Sequence, residues 1–155
     1  MTEYVLITAP IFLTQNLMKR FDNTKVLFIS SGLAHGALPG MGAYAISKAA
    51  LLGVWRSFGV DVKKTKALFG TFLPGTMNTE MQRSLRETSP DVLPAVTVFQ
   101  NFHSDEVLKP TSEVANFAFW VLNHAAPDAF EKTEWDIKTP PTAYLETIAT
   151  LAAGK

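Results

Sequence analysis

Apolar side chains at Val5, Leu6, Ala9, Leu13, Leu17 and Phe21 recur at the spacing of one buried helical stripe and predict a helix over 3–21. Pro10 removes the backbone bond to residue 6, so this helix should kink near Leu6. After the polar break Asp22, Asn23 and Thr24, the run KVLFIS (25–30) is short, apolar and rich in strand formers. Gly32, Gly36, Gly40 and Gly42 with Pro39 make 31–42 a loop. Residues 43–58 supply helix formers with Leu51, Val54, Trp55 and Phe58 on one face, and Gly59 offers a stop. A second apolar run, KALFGTFL (66–73), ends at Pro74-Gly75 and reads as another strand.

Both strands are apolar almost throughout instead of alternating, which is the pattern of strands covered by helices on both faces, so a parallel sheet is expected. Residues 79–87 read as a short helix, 88–110 as loop, and 111–123 as a helix capped by Thr111 or Ser112. A last strand is expected at 134–137, and Pro140-Pro141 marks off a C-terminal tail with one further helical turn. No repeat or low-complexity segment breaks this order.

At 155 residues the chain is of single-domain size. A composition 47% hydrophobic and 18% charged argues against disorder and calls for a large core or an apolar face that meets a partner. Fourteen basic residues balance fourteen acidic ones, and no basic run interleaves with aromatics, so no nucleic acid partner is expected. Without cysteine there is no disulfide framework, thiol nucleophile or thiolate metal site, and a cytoplasmic setting is the default expectation. The stretch from Val5 to Leu13 follows Glu3 and is interrupted by Thr8 and Pro10, unlike a signal-peptide core. No run approaches the roughly 20 apolar residues of a membrane helix, so no membrane partner is expected.

Tyr44 and Lys48 stand four apart near the start of a predicted helix, where their side chains share a face. Alone, such a pair is commonplace. Ser31 lies thirteen residues before Tyr44 at the carboxyl end of a predicted strand, where parallel α/β sheets gather their ligands. After the next strand, PGTMNT (74–79) occupies the equivalent place. A free tyrosine ionises near pH 10 and needs that value lowered by roughly 3 units, about 4 kcal/mol, to exchange protons near neutrality. An adjacent ammonium acts in that direction.

The segment FISSGLAHGALPGMGAYAISKAAL (28–51) followed by LPGTMNTEM (73–81) resembles the short-chain dehydrogenase/reductase family in its strand, serine, Tyr-x-x-x-Lys and Pro-Gly-x-x-x-Thr pattern. The similarity runs from about Val5 to Ile137. TAPIFLTQNL (8–17) is similar to the family's helix before the serine strand, and MQRSLRET (81–88) with WDI (135–137) looks like the sepiapterin-reductase and benzil-reductase branch.

This resemblance implies an α/β fold with a Rossmann-like parallel sheet flanked by helices, of which only the C-terminal part, about three strands, is present. It implies an oxidoreductase acting on a small-molecule carbonyl or alcohol with NADP or NAD. Tyr44 would be the acid/base, Ser31 would bond the substrate oxygen, and Lys48 would support Tyr44 and hold the nicotinamide ribose. Pro74, Gly75, Met77 and Thr79 would cradle the nicotinamide.

Two departures qualify that expectation. The family's usual asparagine before the serine strand aligns with Leu6, which has no polar side chain. The family's N-terminal half, with its Thr-Gly-x-x-x-Gly-x-Gly turn, has no counterpart in this sequence. The expected organisation is a partial catalytic domain at 1–138 and a tail at 139–155. GMGAYA (40–45) fits a loose G-x-G-x-x-A pattern but follows a long loop, so it is not expected to hold phosphate. A second expectation is a truncated, non-catalytic form that associates as a homo-oligomer through helices 3–21 and 43–58. His35, His103 and His124 lack the spacing of metal ligands, so no metal is expected. Ser30 and Ser31 lack the G-x-S-x-G elbow of a hydrolase. Met77, Met81, Leu85, Phe99 and Phe102 suit either a substrate pocket or an apolar core.

Overall fold

The structure, a computed structural model, describes residues 4–61 and 66–153; Glu3, where the first helix was predicted to begin, lies outside them. A π-helical turn (Tyr4–Thr8) leads into α1 (Ala9–Leu17) and a closing 3-10 turn (Met18–Arg20). Pro10 falls in the first turn of α1, where a missing N–H interrupts no bond of that helix. What changes at this point is the helix type, from a π-helical turn to α-helix just before the proline.

Three strands, β1 (Lys25–Ile29), β2 (Leu68–Leu73) and β3 (Glu134–Asp136), form a parallel sheet in the order β1-β2-β3. Ile29 pairs with Phe72, and Phe72 with Trp135. Both apolar runs thus become neighbouring strands, with α2 (Gly42–Asp61) as their crossover.

Side chains alternate across the strands. Val26, Phe28 and Phe69 face α2, where the stacked rings of Phe28, Phe58 and Phe69 lie 5.2 to 6.3 Å apart beside Leu51 and Val54. On the other face, Phe72 and Trp135 meet α5 (Thr111–His124), α6 (Pro127–Lys132) and α7 (Thr142–Ala153) through Phe117, Trp120, Val121, Phe130 and Tyr144. Two covered faces explain why neither strand alternates in sequence. Gly70 makes this packing possible: a Cβ there would come within 2.8 Å of the Phe130 ring.

Several elements differ from expectation. The helix expected to stop at Gly59 passes it and is described as far as Asp61. Gly59 lacks the positive φ of a terminating glycine, and its propensity cost of about 1 kcal/mol is small against the buried face of α2. The 88–110 segment, expected as loop, contains α4 (Val96–Ser104), which follows α3 (Glu80–Glu87). Its sequence VTVFQNFHS favours helix weakly, but Val96 and Phe99 bury against Met41, Leu93 and Ala95 in a third apolar cluster. α5 begins at Thr111, yet its N-cap position is Pro110 and no side chain bonds there, so neither Thr111 nor Ser112 caps it. The expected single turn after Pro140-Pro141 is the twelve-residue α7, anchored by Tyr144 against the Phe117 ring at 4.6 Å. No described helix is long and apolar enough to cross a membrane.

Candidate active site

Ser31 follows β1 in extended conformation, and its Oγ accepts the Leu33 N–H at 3.2 Å, capping the 3-10 turn Gly32–Ala34. That bond occupies a lone pair and leaves the Ser31 O–H free to donate. The loop then returns to α2 through Gly40, whose φ of +85° and approach to Leu93 exclude a side chain; a Cβ would sit 2.9 Å from Leu93 Cδ1. The loose glycine pattern at 40–45 is thus a turn packed against Leu93 followed by the first residues of α2.

Tyr44 and Lys48 lie one turn apart on α2. Lys48 Nζ donates to the Ile29 carbonyl at 2.7 Å and stands 5.7 Å from the centre of the Tyr44 ring. Burial holds the Lys48 ammonium below the ordinary lysine value. The Ser47 hydroxyl, fully buried, donates to the Tyr44 carbonyl at 2.7 Å and steadies the same turn.

From the end of β2 the chain turns at Gly75, whose φ is +68°. Residues 76–78 are fastened by main-chain bonds: Asn78 N–H donates to the Lys109 carbonyl at 3.1 Å and Lys109 N–H to the Thr76 carbonyl at 2.9 Å. Thr79 caps α3, its Oγ1 accepting the Gln82 N–H at 3.4 Å. Gln82 is buried and donates its Nε2 to the Phe99 carbonyl at 2.7 Å, tying α3 to α4.

These segments enclose a cavity of about 300 Å³ at the carboxyl ends of β1 and β2, lined among others by Ser31, Tyr44, Pro74, Gly75, Met77 and Thr79. Met81, Leu85, Phe99 and Phe102 line it as well, so pocket and core meet in the same residues. Of the sequence-predicted site, only Lys48 does not line this cavity. It faces a groove of about 580 Å³ along β1, with Leu6, Pro10, Leu13 and Ile29.

Sequence reasoning missed Ser30, Gln82 and Asp136, all of which line the cavity. Thr79-Glu80-Met81-Gln82 carries a capping-box signature, which was the available signal for Gln82, although its side chain turns to Phe99 instead. Asp136 Oδ1 accepts the Lys138 N–H at 2.9 Å at the end of β3. His35 pairs with Glu134 at 2.9 Å and His124 stacks on Trp120. No group of three metal-ligating side chains is gathered among the described residues.

The sequence matches a family model described as short chain dehydrogenase over residues 4–90. Benzil reductase ((S)-benzoin forming) of Bacillus subtilis is 37% identical over 89 residues, which cover 54% of this chain and 37% of that protein. The 2,3-dihydro-2,3-dihydroxybenzoate dehydrogenase of Escherichia coli is 33% identical over 72 residues, 46% of this chain and 29% of that protein. Two solved structures share the fold. A short-chain dehydrogenase/reductase from Saccharomyces cerevisiae superposes with a TM-score of 0.79 at 21% identity, covering 93% of this chain and 57% of its own. The KRED1-Pglu enzyme superposes with a TM-score of 0.74 at 22% identity, covering 87% and 56%. The matches therefore span only 29% to 37% of the curated relatives.

Proposed function

Because this chain belongs to the short-chain dehydrogenase family, we propose that the cavity holding Ser31 and Tyr44 is a site for reducing a carbonyl compound, or oxidising the alcohol, with NADP or NAD. The observation that carries this reading is that Ser31 and Tyr44, two hydroxyl-bearing residues, line one cavity at the strand ends together with Pro74, Gly75, Met77 and Thr79.

The cavity suits the nicotinamide end of such a cofactor. It has room for a flat ring, and the turn at Gly75 keeps main chain at its wall. Pro74, Gly75, Met77 and Thr79 would hold that ring, and the reduced cofactor, when bound, supplies hydride. Among the described residues no Gly-rich strand-turn-helix offers main-chain N–H groups to a pyrophosphate.

In the reductive direction the Ser31 O–H, left free while its oxygen accepts the Leu33 N–H, donates to the carbonyl oxygen. Tyr44 gives its phenolic proton to the same oxygen as charge develops there, and the product is the alcohol. Lys48 fixes the helix turn of Tyr44 to β1 through the Ile29 carbonyl, with its Nζ 5.7 Å from the centre of the Tyr44 ring. The test is carbonyl-dependent oxidation of NADPH or NADH by the purified chain. Oxidation that needs both the ketone and the protein supports the reading, and its absence across a panel of ketones overturns it.

A second reading, association without catalysis, has its own support. Phe12, Leu13 and Leu17 on α1, Ile46 and Val60 on α2, and Ile29 on β1 are exposed, and β1 has no strand on its outer edge among the described residues. Sedimentation of the purified chain tests it: a homo-oligomer is expected, and a monomer at all concentrations contradicts it.

A further inference from the structure

The main chain of β1 alternates as its side chains do. Ser30 N–H donates to the Phe72 carbonyl at 2.8 Å, and the Thr24 carbonyl accepts from Leu68 N–H at 2.9 Å, so the even-numbered residues of β1 turn their N–H and C=O groups to β2. The main-chain groups of Lys25, Leu27 and Ile29 therefore point the other way, into the groove beside β1. Among the described residues their one partner is Lys48 Nζ on the Ile29 carbonyl, and that carbonyl keeps a second lone pair. Exposed strand edges are commonly blunted by a lysine. Lys25 does not serve in that way: its Nζ turns under the sheet, donating to the Ala125 carbonyl at 2.8 Å and standing 5.0 Å from the centre of the Phe130 ring.

We infer that this edge receives β1 of a second copy of the chain, antiparallel, with Leu27 beside Leu27 of the partner subunit on a two-fold axis. The inference rests on the association reading and names its surface. Main-chain geometry gives the first argument. Antiparallel strands exchange both bonds at every second residue. This register matches Leu27 with its own copy and Lys25 with the partner's Ile29, so all three outward residues of each strand are used. Side chains give the second: Val26 falls opposite the partner's Phe28 on the α2 face, a β-branched and aromatic pair. Charge gives the third. The two copies of Lys25 are held roughly 14 Å apart, beyond the Debye length of about 8 Å, whereas a parallel pairing in register would set them side by side. α1 lines the same groove with Leu13 and Leu17, both exposed, and contains no charged residue. Two copies of α1 on one face of the joined sheet thus meet over the seam without repulsion.

The experiment uses the full chain, which has no cysteine of its own, and reads association by sedimentation and by electrophoresis without reductant. Leu27→Cys puts two thiols on the two-fold axis, where the Cα atoms of a bonded antiparallel pair lie about 5.5 Å apart, within disulfide reach. Mild oxidation should link the chains in pairs. Ile29→Cys, whose copies stand roughly 14 Å apart, should not link. Charge at residue 29 tests the register separately, because the Ile29 side chain is 46% exposed. Ile29→Lys sets like charge opposite the partner's Lys25 and should weaken the dimer about tenfold or more, since the two-fold axis doubles each change. Ile29→Glu sets opposite charge there and should hold or tighten the dimer. A monomer at all concentrations overturns the inference together with the association reading. A dimer that does not link through folded Leu27→Cys, or one that Ile29→Lys and Ile29→Glu weaken alike, overturns the β1 pairing while association stands.

Discussion

Ser30 and Ser31 are neighbours in sequence with opposite surroundings. Ser31 Oγ takes the Leu33 N–H and keeps a proton to offer, whereas Ser30 is 1% exposed and its Oγ has no partner among the described residues. An unmatched buried hydroxyl costs about 1–3 kcal/mol. Ser30→Ala is therefore expected to raise stability by about 1 kcal/mol in urea unfolding; a loss of stability would mean that the hydroxyl is bonded in solution. Gly70 is constrained by the Phe130 ring, and Gly70→Ala should destabilise the fold by about 1–3 kcal/mol through overpacking, read as a lower urea midpoint. An unchanged midpoint would show that α6 moves aside without cost. Ser31, Tyr44 and the Pro74–Thr79 turn were legible because chemistry-bearing residue types recur at fixed distances from strand ends. Gln82 was not, since its partner is a main-chain carbonyl seventeen residues away, and main-chain carbonyls carry no sequence signal.

Elements with a strong intrinsic pattern were readable: β1, β2 and β3, α2, α3 and α5 all fall where periodicity and turn residues put them. α4 and α6 were not, because tertiary packing decides them. α6 is six residues around a fully buried Phe130 with Pro127 in its first turn, and α4 is held by Val96 and Phe99. α7 was underestimated for the same reason, Tyr144 being its one buried residue among those described. Burial first, and the Glu113 carboxylate second, push the Tyr144 phenol above its ordinary value. The unfolded chain then ionises first. The contribution of the neutral phenol is complete below about pH 10 and is lost as pH rises through the folded value. Urea midpoints compared at about pH 9 and about pH 11 should fall less in Tyr144→Phe than in the parent; identical falls would place the phenol in solvent. Truncating the anchor, Tyr144→Ala, should cost about 3–5 kcal/mol by emptying its place beside Phe117 and Trp120.

For the molecule as a whole, the sheet order explains how the site and the surface divide. Tyr44 opens on the cavity at the strand ends, while Lys48, four residues on, faces the groove along the outer edge of β1. α2 is thus the wall between two spaces, and Lys48 reaches from the groove side toward the ring of Tyr44. That division was invisible in the Tyr-x-x-x-Lys spacing, which says only that the two side chains share a helix face. The exposed apolar residues of α1, α2 and β1 lie beside that groove or on the same helices, and Phe12→Glu combined with Val60→Glu should lower the sedimentation coefficient of the associated form. An unchanged coefficient would remove both helices from any interface. The account turns on the phenolic proton of Tyr44, and Tyr44→Phe tests it most directly by deleting one oxygen from the cavity. Carbonyl-dependent NADPH oxidation should fall by about 100-fold or more with the urea midpoint preserved; turnover retained in the folded variant would contradict the mechanism.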